Sequence, residues 1–220
     1  MIRKIVAEFL GTAMLVIFGC GTAVTVGCDA SSGSGYLLTA LAFGLVVMAL
    51  AYSIGDISGC HVNPAVTIGF MVSGRQDITE GLCYIGAQFV GALAGAGIMA
   101  AIWGTNTGYG ANALYQGSGL KSILIEAILT FIFVFVILRV TLYKKYSGVA
   151  GLIIGLTLAL VHVLGIGLTG TSVNPARSIA PAIFAAATGN FAPFASLWIF
   201  IVGPLVGAFL AAKLYGWMED

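Results

Sequence analysis

Asn63-Pro64-Ala65 and Asn174-Pro175-Ala176 are one tripeptide written twice, once in each half of a 220-residue chain. Asn followed by Pro is the signature of a helix start. The carboxamide oxygen accepts an orphan amide at the N-cap, and Pro stands at N1, where no amide hydrogen is needed. A helix start also aims unsatisfied N–H groups and a partial positive charge of roughly +0.5 outward. Two such ends facing each other would make a positive maximum lined by two carboxamides. That is chemistry for a polar, uncharged molecule, and it repels cations. Each copy closes a related stretch, Gly59-Cys60-His61-Val62 in the first half and Gly170-Thr171-Ser172-Val173 in the second. Residues 58–61 and 169–172 are expected to be extended, offering a ladder of carbonyl acceptors to a cavity, with Gly59 and Gly170 permitting the tight backbone.

Arg177 directly follows the second tripeptide, inside an apolar stretch, so it is a functional candidate by default. Glu8 and Glu126 also lie in apolar stretches and need buried donors. The amides of the segments before the two tripeptides are the nearest, so both are expected to brace those segments rather than relay protons. His162 stands alone in an apolar run, where a His is usually a satisfied core residue. His61 reads as loop packing, and Phe43 as one Phe among 13. Asp56, Ser58 and His61 are close along the chain, but closeness is not triad geometry, and no catalytic residues are assigned. The four cysteines, Cys20, Cys28, Cys60 and Cys83, lack metal-ligand spacing. Most read as small buried hydrophobes, with Cys60 set apart by its place just before Asn63. Neither a metal nor a cofactor is expected.

What must hold these residues is a membrane-spanning scaffold. Hydrophobic residues make up 60% of the chain and charged ones 8%, against roughly 25% charged in a soluble domain. The net charge of +1 and the lack of a basic stripe give no purchase for nucleic acid. A span needs about 20 apolar residues, and six stretches qualify: 4–26, 37–54, 81–103, 122–142, 149–167 and 195–214. The first is too long for a signal peptide and reads as a retained span. Two shorter pieces, 64–72 and 175–186, cannot cross and fit as re-entrant half-helices buried against protein. The uncharged connection 104–119 suits an outer loop.

The halves repeat. Glu8 and Thr12 match Glu126 and Thr130, Gly44-Leu45 matches Gly155-Leu156, and the pair Gly91 and Gly95 matches Gly203 and Gly207. Three spans per half is an odd number, so the repeats, about 1–110 and 120–220, are inverted and their half-helices enter from opposite faces. One domain over 1–220 is expected, all-α, with a permeation or binding site where the broken helices meet. An N-terminus on the inner side puts Arg3, Lys4, Arg75, Lys144, Lys145 and Lys213 inside, and only Lys121 outside beyond the pore-assigned Arg177. That is the positive-inside pattern, with both termini cytoplasmic.

Together these residues resemble the major intrinsic protein family, the aquaporins and glycerol facilitators, over essentially the whole chain. The resemblance implies an aquaporin-like homotetramer with a pore in each subunit. Within the family the chain looks like the bacterial water-selective aquaporins of the Z type, in the inner membrane. It then implies an outer selectivity filter of Phe43, His162, Thr171 and Arg177, with Phe43 as the apolar wall opposite. Asn63 and Asn174 mark the pore centre, where a water accepts from both and a proton wire is broken. Facilitators usually carry a small residue for the His and an Asp after the Arg, whereas Ser178 follows Arg177 here. Cys60 departs from the Gly often found there. The expected function is passive, water-selective conduction excluding ions and protons. The alternative is a glycerol or small neutral solute facilitator. A secondary transporter would need a coupling carboxylate, and this chain has none beyond the two braces.

Overall fold

The computed structural model describes residues 1–29, 32–105 and 107–219. Six helices among them are long and apolar enough to cross a membrane: α1 (Ile2–Thr25), α2 (Tyr36–Ser58), α4 (Ile78–Trp103), α5 (Gly119–Val140), α6 (Ala150–Thr169) and α8 (Ile199–Glu219). Two short helices, α3 (Pro64–Val72) and α7 (Pro175–Ala187), start at the two tripeptides. They have 9 and 13 residues; at ~1.5 Å per residue neither crosses a ~30 Å hydrocarbon layer.

Local chemistry explains where these helices stop and start. Gly59 and Gly170 end α2 and α6 in the left-handed region, at φ 85° and 74°. Asp77 and Ser118 cap α4 and α5 by accepting the amides of Glu80 and Lys121. The helices before both half-helices therefore run on to Ser58 and Thr169, which corrects the expectation of extended chain at 58–61 and 169–172. The linkers are Gly59–Val62 and Gly170–Val173, and they are coiled rather than extended. Cys60 and Val62 sit at φ 53° and 45°, and Thr171 and Val173 at 49° and 46°. A β-branched residue in that region is a steric outlier, costing about 1–3 kcal/mol. The same penalty at matched positions in both halves requires a matched restraint.

The last span also differs from its expected bounds of 195–214. A single helical turn, Ala192–Ala195, is followed by turns, and α8 opens at Ile199. Its far end runs on to Glu219, which pairs with Arg139 at the end of α5.

Packing repeats across the halves. α1 lies on α4 and α5 lies on α8, each contact seated on a glycine. A Cβ at Gly91 would stand 2.2 Å from the Phe9 carbonyl oxygen, and one at Gly207 2.3 Å from that of Ala127. The two halves meet where α2 crosses α6: a Cβ at Gly44 or Gly155 would fall 2.5 or 2.6 Å from the other's carbonyl oxygen. Close approach through small residues is how helices associate in lipid, where no hydrophobic gain separates them from the solvent. Leu37, Leu120 and Leu160 face outward, while Glu8, Gln88, Glu126, His162 and Arg177 are buried. An apolar surface enclosing an apolar core with a few buried charged and amide groups is the pattern of a multi-pass membrane protein.

Candidate functional site

Each Asn caps its own half-helix and reaches into the other half. Asn63 Oδ1 accepts from the Ala65 amide at 2.8 Å, and its Nδ2 donates to the Val173 carbonyl at 2.7 Å. Asn174 Oδ1 accepts from the amides of Ala176 and Arg177 at 3.1 and 3.3 Å, and its Nδ2 donates to the Val62 carbonyl at 2.9 Å. The half-helices thus meet start to start, tied by a crossed pair of carboxamides. A carboxamide nitrogen has two hydrogens and an oxygen two lone pairs. One hydrogen per Asn is spent on the opposite linker and one remains. Both Asn side chains line an internal cavity. Pro64, Ala65, Pro175 and Ala176 are buried behind them as the first turns.

The strained linkers are held by the two glutamates. Glu8 accepts from the amides of His61 and Val62 at 2.9 and 2.6 Å, from Ser58 Oγ at 2.7 Å and from Gln88 Nε2 at 2.7 Å. Glu126 accepts from the amides of Ser172 and Val173 at 2.9 and 2.8 Å and from Thr169 Oγ1 at 2.6 Å. Each carboxylate therefore gathers the amide of the left-handed Val and of the residue before it. Charge-assisted bonds of this kind are roughly twice as strong as neutral ones.

Of the four side chains expected at the outer constriction, the structure brings three together. Phe43 and His162 stack with centroids 4.2 Å apart and planes 22° from parallel. The Arg177 guanidinium carbon lies 5.2 Å from the Phe43 ring centre. Phe43 therefore packs on His162 instead of standing across a gap from it; rings at that separation leave no room for a solute between them. His162 Nδ1 lies 2.9 Å from the Leu158 carbonyl oxygen. A carbonyl only accepts, so Nδ1 carries the hydrogen and, in the neutral ring, Nε2 is left as an acceptor. Nε2 is buried with no partner among the described residues, as is Arg177 Nε. The Thr171 side chain packs on α6, where a Cβ at Gly165 would sit 2.4 Å from its hydroxyl oxygen.

Arg177 lacks a carboxylate partner among the described residues but is not free. Its Nη1 donates to the Gly110 carbonyl at 2.9 Å and to Asn112 Oδ1 at 3.0 Å, and Nη2 donates to the Gly170 carbonyl at 3.4 Å. Ser178 Oγ donates to the same Asn112 oxygen at 2.7 Å. Arg177 borders two cavities. One contains Phe43, His162, both Asn and the linker Gly59–Val62; the other, on the far side, is lined by Thr39, Gly110, Thr169 and Gly170.

Sequence reasoning missed Gly110 and Asn112, which sit in a Gly- and Tyr-rich loop with nothing to mark them. Gln88 was missed with less excuse, since an amide in the middle of an apolar span is a signal. It donates both to Glu8 and, at 3.0 Å, to Thr67 Oγ1. His61 stacks on Phe70 at 4.5 Å, and Cys60 lines the cavity shared with both Asn residues.

Comparison with known proteins agrees with this architecture. The model of the family described as Major intrinsic protein matches residues 1–215. A protein named Aquaporin Z from Bradyrhizobium diazoefficiens is 39% identical, over 99% of this chain and 94% of that protein. Aquaporin Z of Brucella melitensis is 40% identical, over 98% of this chain and 97% of its own length. The solved structure of the aquaglyceroporin from Plasmodium falciparum superposes with a TM-score of 0.82 at 24% identity, covering 98% of this chain and 95% of that one, a likeness of fold. With six apolar spans, two opposed half-helices and a family match along nearly its whole length, this chain belongs to the major intrinsic protein family.

Proposed function

We propose that this protein is a passive water channel that selects water and excludes ions and protons. The observation that carries the reading is the cluster of Phe43, His162 and Arg177 lining one cavity, with Arg177 also bordering a second. An imidazole and a guanidinium on one apolar ring make a narrow passage with an acceptor at His162 Nε2 and donors at Arg177. A water satisfies both in turn, whereas a triol needs more width and more partners. Relatives named Aquaporin Z across almost the full length support the water reading.

In this reading Asn63 and Asn174 each keep one hydrogen for the passing water, which must turn its oxygen toward them. Its own hydrogens then point along the chain of waters in opposite directions, and proton hopping is interrupted. The two half-helix starts add a positive barrier at the same level. Thr171 contributes to the filter through its backbone. Glu8 and Glu126 brace the linkers. The repeats run over 1–110 and 120–220 as one domain, the subunits assemble as homotetramers with one pore each, and the protein sits in the inner membrane with both termini cytoplasmic.

Light scattering of reconstituted vesicles tests this. Sucrose should shrink them quickly with a low activation energy, glycerol should enter little faster than into empty vesicles, and a pH gradient should persist. Fast glycerol entry through the unmodified protein would instead make it a facilitator.

A further inference from the structure

α1 leaves α geometry at one place. Over Val16–Cys20 it forms a π turn, with the Gly21 amide reaching back to the Val16 carbonyl. Such turns insert one extra residue and recur beside functional sites. Aligning Glu8 with Glu126 sets this stretch against residues 134–138 of α5, which is uninterrupted α-helix. The extra residue therefore belongs to one half only, the half whose second span carries Phe43.

Two residues of the turn touch two parts of the outer constriction. Gly19 abuts Phe43: a Cβ there would lie 2.3, 2.5 and 2.6 Å from Cε1, Cδ1 and Cζ of the ring. Cys20 abuts Gly110: a Cβ at that glycine would lie 3.3 Å from the Cys20 Cα, Cβ and carbonyl oxygen. Gly110 in turn supplies the carbonyl that accepts from Arg177. Phe43 is 2% exposed, and His162 and Arg177 occupy its other sides.

We propose that Gly19, presented by the π turn, is a positioning residue that sets the bore of the outer constriction through the seat of Phe43. The proposal rests on reading that constriction as the site that selects water. Carbon atoms in contact sit about 3.5–4.0 Å apart, so any side chain at position 19 displaces the ring by more than an ångström. A phenyl ring is rigid, and its neighbours are His162 and Arg177. The displacement is therefore transmitted to the passage, which narrows.

The test compares water and glycerol flux, per folded protein, in vesicles carrying the unmodified protein, Gly19→Ala, Phe43→Leu and the double variant. Gly19→Ala should lose most of its water flux and show a higher activation energy. Adding Gly19→Ala to Phe43→Leu should change neither solute's rate, because a leucine can yield by changing rotamer. The proposal is overturned if Gly19→Ala keeps the unmodified rates. It is overturned equally if folded Gly19→Ala shows the unmodified activation energy, or if the substitution lowers flux as much in the Phe43→Leu background as it does with Phe43 in place. Where Gly19→Ala alone does not fold, Phe43→Leu against the double variant decides. Unmodified protein that passes water no faster than empty vesicles would sink the reading of the constriction, and this proposal with it.

Discussion

The cluster of Phe43, His162 and Arg177 has a counterpart related to it by the repeat, and the two are chemically unlike. Setting Gly44 on Gly155 and Asn63 on Asn174 places Ile154 at the position of Phe43, Ala51 at that of His162, Cys60 at that of Thr171 and Val66 at that of Arg177. All four counterparts line the cavity that contains both Asn side chains. The frame around the two half-helices is shared: caps, crossed carboxamides, left-handed linkers and a glutamate beneath each. At the four matched positions the imidazole and the guanidinium occur in one half only. The shared frame therefore accepts unlike side chains at its matched positions.

The partners of Arg177 show why that half could take a cation. Gly110 and Asn112, from the connection between α4 and α5, supply acceptors to Nη1, and Asn112 is fixed in turn by Ser178. In the other half the nearby arginine, Arg75, is spent on the carbonyls that end α5, donating to Leu138 and Thr141. It binds a helix terminus and is absent from the cavity lining.

Giving the Arg177 cluster the residues of its counterpart is the sharpest way to attack this comparison. Arg177→Val should have the largest effect: cation conductance and proton leak should appear in vesicles that the unmodified protein leaves tight. Desolvated charge is worth several kcal/mol, so about a hundredfold rise is expected. Unchanged impermeability would assign exclusion wholly to the half-helix starts. Next comes His162→Ala, the counterpart's residue. Glycerol entry should rise about tenfold, the equivalent of ~1.4 kcal/mol off the barrier, while water flow persists through Asn63 and Asn174. If neither rate moves, His162 is a core residue stacked on Phe43 and nothing more.

The smallest effect on transport should come from the shared frame. Glu8→Ala strands two backbone amides, Ser58 and Gln88, and Glu126→Ala strands two amides and Thr169. Each orphaned donor costs roughly 1–3 kcal/mol, and the strain at Val62 or Val173 is released as well. Thermal unfolding in detergent should drop in both variants, further for Glu8→Ala, with the glycerol-to-water ratio of the folded protein unchanged. A changed ratio with intact stability would show that the glutamates select solutes.

Much of this was legible in the residues. Two Asn-Pro-Ala copies, six long apolar runs and matched glycines left little freedom for the architecture, because lipid tolerates only helices whose backbone bonds are internal. Glu8 and Glu126 announced themselves as charges without partners. The linkers were less legible. The sequence before each tripeptide suggests extended chain, since a new helix starts at the tripeptide and none can be running just before it. The left-handed Val62 and Val173 exist because Glu8 and Glu126, 54 and 47 positions away, hold their amides. A restraint of that range leaves no local trace.

The sequence by itself thus determined the membrane class, the duplicated frame and the helix starts, all of which follow from composition and from pairings a few residues long. Only the tertiary structure decided what stands beside what: Phe43 stacked on His162 rather than facing it, Thr171 turned toward Gly165, and Asn112 beneath Arg177. Side-chain direction at such places depends on which backbones approach closely enough to exclude the alternatives. That approach is set by helix crossings among residues far apart in the chain, so no reading of neighbours could supply it.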